Sequence, residues 1–202
     1  MPTFELEEHY KAQGFSCVCG VDEAGRGPLS GPVVAAACVL PPDFEIGELN
    51  DSKKLTPKKR DILYDRIIKE AVAYSIASAS PEEIDEINIL NATMLAMKRA
   101  IESLPLRADF ALIDGNVSRG IPLPCETVIK GDSRSASIAA ASILAKVTRD
   151  RLCLQDDIDY PQYKFAKHKG YGTKEHIEAL KAHGPSPIHR RSFLKFLSDE
   201  EH

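Results

Sequence analysis

The apolar run Cys17-Val18-Cys19-Gly20-Val21 stops on two adjacent carboxylates, Asp22 and Glu23, and the chain turns at once through Ala24-Gly25-Arg26-Gly27-Pro28. A second apolar run, Pro32–Leu40, follows this Gly/Pro-rich turn, so the two runs read as an antiparallel pair of strands. A strand that ends in acids and turns through glycines brings carboxylate oxygens and bare backbone N–H groups to one place. Hard divalent cations take the first as ligands, and phosphates take the second. The segment therefore suggests metal-assisted chemistry on a phosphodiester.

Strand and helix signals alternate along the rest of the chain. Asn50-Asp51-Ser52-Lys53-Lys54 reads as a polar loop. Thr56 caps a helix that has Pro57 at its first position and runs to about Glu70. Val72–Ser78 is rich in β-formers up to Ile76 and reads as a third strand. Ser80-Pro81-Glu82-Glu83 forms a capping box, and the helical pattern continues to about Ser103 with a break near Asn88. Asp109–Ile113 is a fourth strand stopped by Asp114-Gly115-Asn116, and Glu126–Lys130 a fifth stopped by Gly131-Asp132. Ser133 to about Leu154 reads as a long helix whose Ala139-Ala140-Ala141-Ser142 stretch permits close packing on a sheet. Beyond Asp156 the pattern loosens. Residues 167–172 read as a loop, Thr173–His183 as a helix, Gly184–Pro187 as a break and Phe193–Leu197 as a last short helix. There is no internal repeat. These signals predict an α/β domain over residues 1–155, with a small helical extension over 156–202.

With 202 residues, 43% apolar and 28% charged, the chain can bury one sizeable core, and neither disorder nor low complexity is expected. The net charge of −4 excludes an overall cationic nucleic-acid binder. Charge is unevenly spread, however. From Pro161 to Leu197 there are eight Lys/Arg against two acids, Glu175 and Glu178, a basic patch on an acidic protein. The five cysteines (17, 19, 38, 125 and 153) are not spaced as a zinc site and read as small buried hydrophobes in a reducing cytosol. The first ten residues are acidic and lack an apolar signal core, and the longest apolar run, Val33–Leu40, is too short to span a bilayer. A cytoplasmic protein with no membrane contact is expected.

Three predicted strands end in acids: the first at Asp22-Glu23, the fourth at Asp114 and the fifth at Asp132. Ligand sites in α/β sheets gather at the carboxyl ends of strands. If these strands are neighbours, four carboxylates converge, and like charges stay together only when cations hold them. Ligation by carboxylates alone favours Mg²⁺ or Mn²⁺ over zinc. Two such ions roughly 3.5–4 Å apart would activate a water and stabilise the leaving oxygen of a phosphodiester. Each acid taken singly is also explained as a turn residue, and Asp132 as a helix cap. Asp22 and Glu23 are adjacent on a strand, so their side chains should point to opposite sides. Asp22 is expected to bridge the metals, with Glu23 acting partly through its backbone carbonyl.

Seven pieces occur in order: residues 20–28 from Gly20 to Pro28; Asn50-Asp51-Ser52-Lys53-Lys54-Leu55; Ile113-Asp114-Gly115-Asn116; Lys130-Gly131-Asp132-Ser133; residues 141–150 from Ala141 to Asp150; His168-Lys169-Gly170-Tyr171; and His189-Arg190-Arg191-Ser192-Phe193. In these the sequence resembles ribonuclease HII, the type 2 ribonuclease H of bacteria, over about residues 16 to 193. The resemblance implies a ribonuclease-H-like fold, a five-stranded mixed sheet flanked by helices with a C-terminal helical extension. It implies hydrolysis of the RNA strand of RNA–DNA hybrids and incision 5′ of ribonucleotides embedded in duplex DNA, leaving 3′-hydroxyl and 5′-phosphate ends. Asp22, Glu23, Asp114 and Asp132 match the family's four acids, which serve catalysis through Mn²⁺ or Mg²⁺. Gly25-Arg26-Gly27 matches the loop that senses the ribonucleotide, whose 2′-hydroxyl only RNA offers. Tyr171 matches the tyrosine that packs on the adjacent deoxyribose. Lys53 and Lys54 are expected to meet phosphates near the scissile bond.

Lys146, Arg149 and Asp150 are spaced for local ion pairing on the long helix, a structural duty. His189, Arg190 and Arg191 suit phosphate binding or helix-end capping equally. A two-metal DNA exonuclease would account for the acids but not for Gly25-Arg26-Gly27 or Tyr171. A non-catalytic hybrid-binding module would suit the basic C-terminal region but not four clustered acids. Nothing demands a dimer, so a monomer is expected. A sliding clamp is a partner the sequence leaves open, since the tail Ser198–His202 shows no clear anchor for one. The role of residues 1–14 is also left open.

Overall fold

Every residue of Val33–Val39 is buried, so this strand, β2, has apolar cover on both faces of its sheet. It pairs antiparallel with β1, Val18–Ala24, in a register that sets Asp22 opposite Ala36, and with β3, Ala73–Ala79. On the other side of β1 lies β4, Phe110–Asp114, parallel to it with Val21 opposite Ile113. The fifth strand, β5, Cys125–Val128, runs parallel to β4. The order β3-β2-β1-β4-β5 is the expected five-stranded mixed sheet. The computed structural model describes residues 1–47, 49, 52 and 55–197.

The described residues form six α-helices: α1 Glu5–Ala12, α2 Pro57–Glu70, α3 Pro81–Glu102, α4 Ala136–Asp159, α5 Phe165–His168 and α6 Lys174–His183. Val33, Ala35 and Ala37 of β2 join Cys19 and Val21 of β1 against Ala92, Ala96 and Met97 of α3. The alternate residues Val34, Ala36 and Cys38 face Ile67 of α2 and Ala139, Ala140 and Leu144 of α4. A fully buried Ile or Leu stabilises by about 1.5–3 kcal/mol, so these two layers dominate the core. The alanine stretch of α4 does sit hard on the sheet, and Gly20 is its counterpart. A Cβ on Gly20 would fall 2.2 Å from the Ile138 backbone nitrogen, so any larger residue would push α4 off β1.

Local signals explain the helix starts. The Thr56 hydroxyl accepts from the Lys59 N–H, and Pro57 occupies the first turn of α2. Ser80 and Glu83 cap one another reciprocally at α3. The break in α3 falls at Asn88, whose φ is 67° and whose Oδ1 accepts from the Leu90 and Asn91 N–H groups, capping the second half of the helix.

The structure corrects the sequence reading in four places. The long helix begins at Ala136 with Ser135 as its cap, because the Ser135 hydroxyl accepts from the Ile138 N–H at 3.1 Å. Asp132 is therefore not the cap of this helix and sits on a separate 3₁₀ turn, Gly131–Ser133. Lys167 and His168 close the short helix α5 instead of opening a loop. Residues 191–193 and 195–197 form two 3₁₀ turns where one helix was expected. Finally, residues 5–12 form α1, which the sequence left unassigned. Tyr10 stacks on Phe110 at 3.8 Å between ring centroids. The buried Glu7 carboxylate accepts from Ser135 Oγ at 2.6 Å and the Ser137 N–H at 2.9 Å, an anion at the start of α4.

Beyond α4, Tyr163, Phe165, Leu180 and Leu194 form a small core of their own, against which Leu29 of the main domain packs. No helix among the described residues is long and apolar enough to cross a membrane.

Candidate active site

Because β1 and β4 are parallel, with Val21 beside Ile113, Asp22 and Asp114 follow side by side at the carboxyl ends of their strands. One carboxylate oxygen from each of Asp22, Glu23 and Asp114 falls within 4.8 Å of the others. Asp22 lies on the α4 face of the sheet, as alternation requires. Glu23 lies on the α3 face, bordering a small hollow with Met97 and Asn116. The strand end lets the two carboxylates meet in spite of their opposite facing. Asp132 lines the same cleft, outside that group of three. Its turn is tied to the cluster by the Gly131 N–H, which donates to Asp114 Oδ1 at 2.6 Å.

The electrostatics of this cluster call for a cation. Burial pushes the Asp22 carboxyl well above the usual carboxylate range, and the charges of Glu23 and Asp114 push it further. Burial also raises Glu23, against the pull of Arg26, whose Nη1 donates to Glu23 Oε1 at 3.3 Å. The Glu23 N–H donates to Asp22 Oδ1 at 2.6 Å. An all-oxygen donor set held together against its own repulsion fits a hard divalent ion such as Mg²⁺ or Mn²⁺.

The acids open into a cleft of about 490 Å³ that also takes in Gly25, Arg26, Gly27, Ser52 and Tyr171. The Tyr171 ring lies on Gly27, where a Cβ would come within 3.3 Å of ring carbon Cε1. Tyr171 is 47% exposed, so its ring is open to a ligand in the cleft. Lys53 and Lys54 lie outside the described residues. Their neighbour Ser52 is buried beside the cleft, where its hydroxyl accepts from Ser142 Oγ at 2.8 Å.

Two arginines depart from the roles read in the sequence. Arg149 turns to backbone carbonyls and a thiol in place of the carboxylate partner its spacing suggested. Its guanidinium donates to the Ser30 and Lys169 carbonyls and to Cys153 Sγ, and it lies against Gly25. Arg190 is fully buried and its guanidinium is turned onto the backbone. It donates to the carbonyls of Gly25 at 2.6 Å, Arg26 at 3.0 Å and Gly31 at 2.9 Å. Two cations thus fix the backbone of the 25–31 loop from beneath. Lys146 and Asp150 behave as their spacing suggested, pairing at 2.7 Å. Carbonyl partners have no sequence identity, so nothing in the residue pattern could reveal them.

The family model described as Ribonuclease HII matches residues 19–196. The chain belongs to the ribonuclease HII family. A ribonuclease HII of Caldicellulosiruptor saccharolyticus is 57% identical over 192 residues, which cover 95% of this chain and 94% of that one. Among solved structures, the ribonuclease H2 of Pyrococcus horikoshii OT3 superposes with a TM-score of 0.71 at 29% identity, covering 92% of this chain and 98% of its own. A ribonuclease HII of Archaeoglobus fulgidus, solved in complex with PCNA, gives a TM-score of 0.71 at 26% identity and covers 88% and 94%. The expected ribonuclease-H-like fold is thereby established. As a ribonuclease HII the protein is an endoribonuclease, a phosphodiester hydrolase of the RNA strand of RNA–DNA hybrids.

Proposed function

We propose that this ribonuclease HII also incises duplex DNA on the 5′ side of a single embedded ribonucleotide, leaving 3′-hydroxyl and 5′-phosphate ends. The observation that carries this reading is the single cleft shared by the Asp22–Glu23–Asp114 cluster, the Gly25-Arg26-Gly27 loop and the Tyr171 ring. A cleft that holds the reacting groups together with a narrow glycine loop can couple cleavage to the presence of a 2′-hydroxyl.

Asp22, Glu23, Asp114 and Asp132 would hold two divalent ions, Mn²⁺ or Mg²⁺. When bound, such ions supply Lewis acidity and lower the pKa of a water. The chain's own residues do the rest. Gly27 lets the main chain approach a ribose beside the Tyr171 ring, because it carries no Cβ there, while the bare Gly25 leaves room for the Arg149 guanidinium that supports the loop. Arg190 and Arg149 keep that loop rigid, so reading a 2′-hydroxyl needs no reordering of backbone. Tyr171 offers an exposed ring against which the adjacent deoxyribose stacks. Lys53 and Lys54 meet phosphates near the scissile bond. Residues 156–202 act as an extension that brings Tyr171 and its basic neighbours to the cleft. The protein works as a cytoplasmic monomer in ribonucleotide removal.

Replacing Asp22 or Asp114 with Asn tests the reading. Cleavage is expected to vanish in both variants while hybrid binding persists. Undiminished turnover in purified Asp22→Asn protein would overturn it.

A further inference from the structure

Three buried histidines stand behind Tyr171, and nothing in the proposed chemistry uses them. His168, His176 and His189 are at most 8% exposed and lie ring to ring, His168 stacked on His176 with centroids 4.4 Å apart. Their hydrogen bonds fix every tautomer. His176 Nδ1 faces the Tyr171 carbonyl oxygen at 2.9 Å, and a carbonyl only accepts, so Nδ1 carries the proton. His176 Nε2 is then an acceptor, and it faces His189 Nε2 at 3.0 Å, so His189 must donate there. His189 Nδ1 is left to accept, and it receives the Ser186 N–H at 3.0 Å together with the Ser186 hydroxyl at 2.7 Å. His168 follows the same logic. Its Nε2 donates to the Tyr163 carbonyl at 2.7 Å, and its Nδ1 accepts from the Gly170 N–H at 3.2 Å.

The result is a directed chain of donors running from Ser186 through His189 and His176 to the Tyr171 carbonyl. That carbonyl also accepts from the Thr173 N–H at 2.8 Å, and the Tyr171 N–H donates to the His168 carbonyl at 3.0 Å. Both peptide groups of Tyr171 are therefore held, which leaves the ring pinned over Gly27 although its face is open. A surface tyrosine on a glycine-flanked loop would otherwise sample many positions. The rings of Tyr163 and Phe165 wall the histidines in, at 4.9 and 5.6 Å from His189, so water cannot take over these bonds.

We propose that His176, supported by His189, is a positioning residue for substrate reading: its Nδ1–H holds the Tyr171 backbone so that the ring faces the ribonucleotide junction. The inference rests on the reading of Tyr171 as the junction-packing residue.

The test is kinetic and uses the full chain on duplex DNA carrying one ribonucleotide. Two amide variants at one position separate the two ends of the histidine. His176→Asn places its N–H₂ where Nδ1 was and keeps the bond to Tyr171. His176→Gln places its amide where Nε2 was and loses that bond. Loss of kcat/KM is expected on the order of ten- to a hundredfold in the Gln variant, carried by KM, and a much smaller loss in the Asn variant. In a Tyr171→Ala background His176→Gln should add less than about twofold, since coupled residues are non-additive. A purely structural histidine would give equal losses for Asn and Gln, or a full Gln effect on top of Tyr171→Ala. Either result overturns the inference and leaves the Tyr171 reading intact. An unchanged kcat/KM in Tyr171→Ala alone removes that reading, and the inference falls with it. ¹⁵N chemical shifts of the unaltered protein provide a check independent of variant folding. His176 should be in the Nδ1–H form, with His189 and His168 in the Nε2–H form, and His176 found as Nε2–H would overturn the proposal.

Discussion

A Cβ placed on Gly25 would fall 2.1 Å from Arg149 Nε, closer than any side chain tolerates. Gly25 also has φ +95°, so both its backbone and its packing exclude a larger residue. Gly25→Ala is expected to destabilise by about 1–3 kcal/mol and to move the Arg149 guanidinium off the Ser30 carbonyl. Cleavage at a single ribonucleotide should fall more than stability does. Urea unfolding and kcat/KM on the same preparation measure the two.

Arg190 satisfies three backbone carbonyls at once from a fully buried position. Arg190→Ala leaves those carbonyls unpaired and should cost about 3–5 kcal/mol. Arg190→Lys should recover little of this, because an ammonium cannot fork between the Gly25 and Arg26 oxygens. Comparing the urea midpoints of the two variants decides the point.

The acids of the cluster repel one another at the expense of stability. Asp22→Asn removes a buried charge that faces Glu23 and Asp114, so the metal-free protein should become more stable by about 0.5–2 kcal/mol while losing cleavage. A lower melting temperature for the metal-free Asn variant would contradict this account of the cluster.

His189 predicts a specific acid weakness. Burial first, and then electrostatic interaction with the neighbouring His176, Arg191 and His168, hold it down to about 4, against 6.5 when unfolded. Above pH 6.5 both states are neutral at this site. Between 6.5 and about 4 the unfolded chain takes up a proton that the folded chain refuses, so the stability present above 6.5 is lost as the pH falls towards 4. His189→Gln has no such proton to bind. Its melting temperature should fall less steeply over this window than that of the unaltered protein, and parallel curves would refute the assignment.

What could be read in the sequence was local. The strand-end positions of Asp22, Glu23 and Asp114, the caps at Thr56 and Ser80 and the break at Asn88 all depend on residues within a few positions of one another. What could not be read depends on partners far along the chain. Glu7 meets Ser135 across 128 residues, and Arg190 meets Gly25 across 165. Arg149 misled because its neighbours offered a plausible ion pair, whereas its actual acceptors are carbonyls, which every residue has. Asp132 suited a helix cap until Ser135 was seen to fill that role.

The central claim is that one cleft joins cleavage to ribonucleotide recognition. It is tested most directly on end-labelled duplex DNA containing one ribonucleotide, incubated with Mg²⁺, with Mn²⁺ or with EDTA. The account predicts a single cut on the 5′ side of the ribonucleotide, with 3′-hydroxyl and 5′-phosphate ends, seen with either metal and absent in EDTA. An intact duplex under conditions where a long RNA–DNA hybrid is degraded would contradict it.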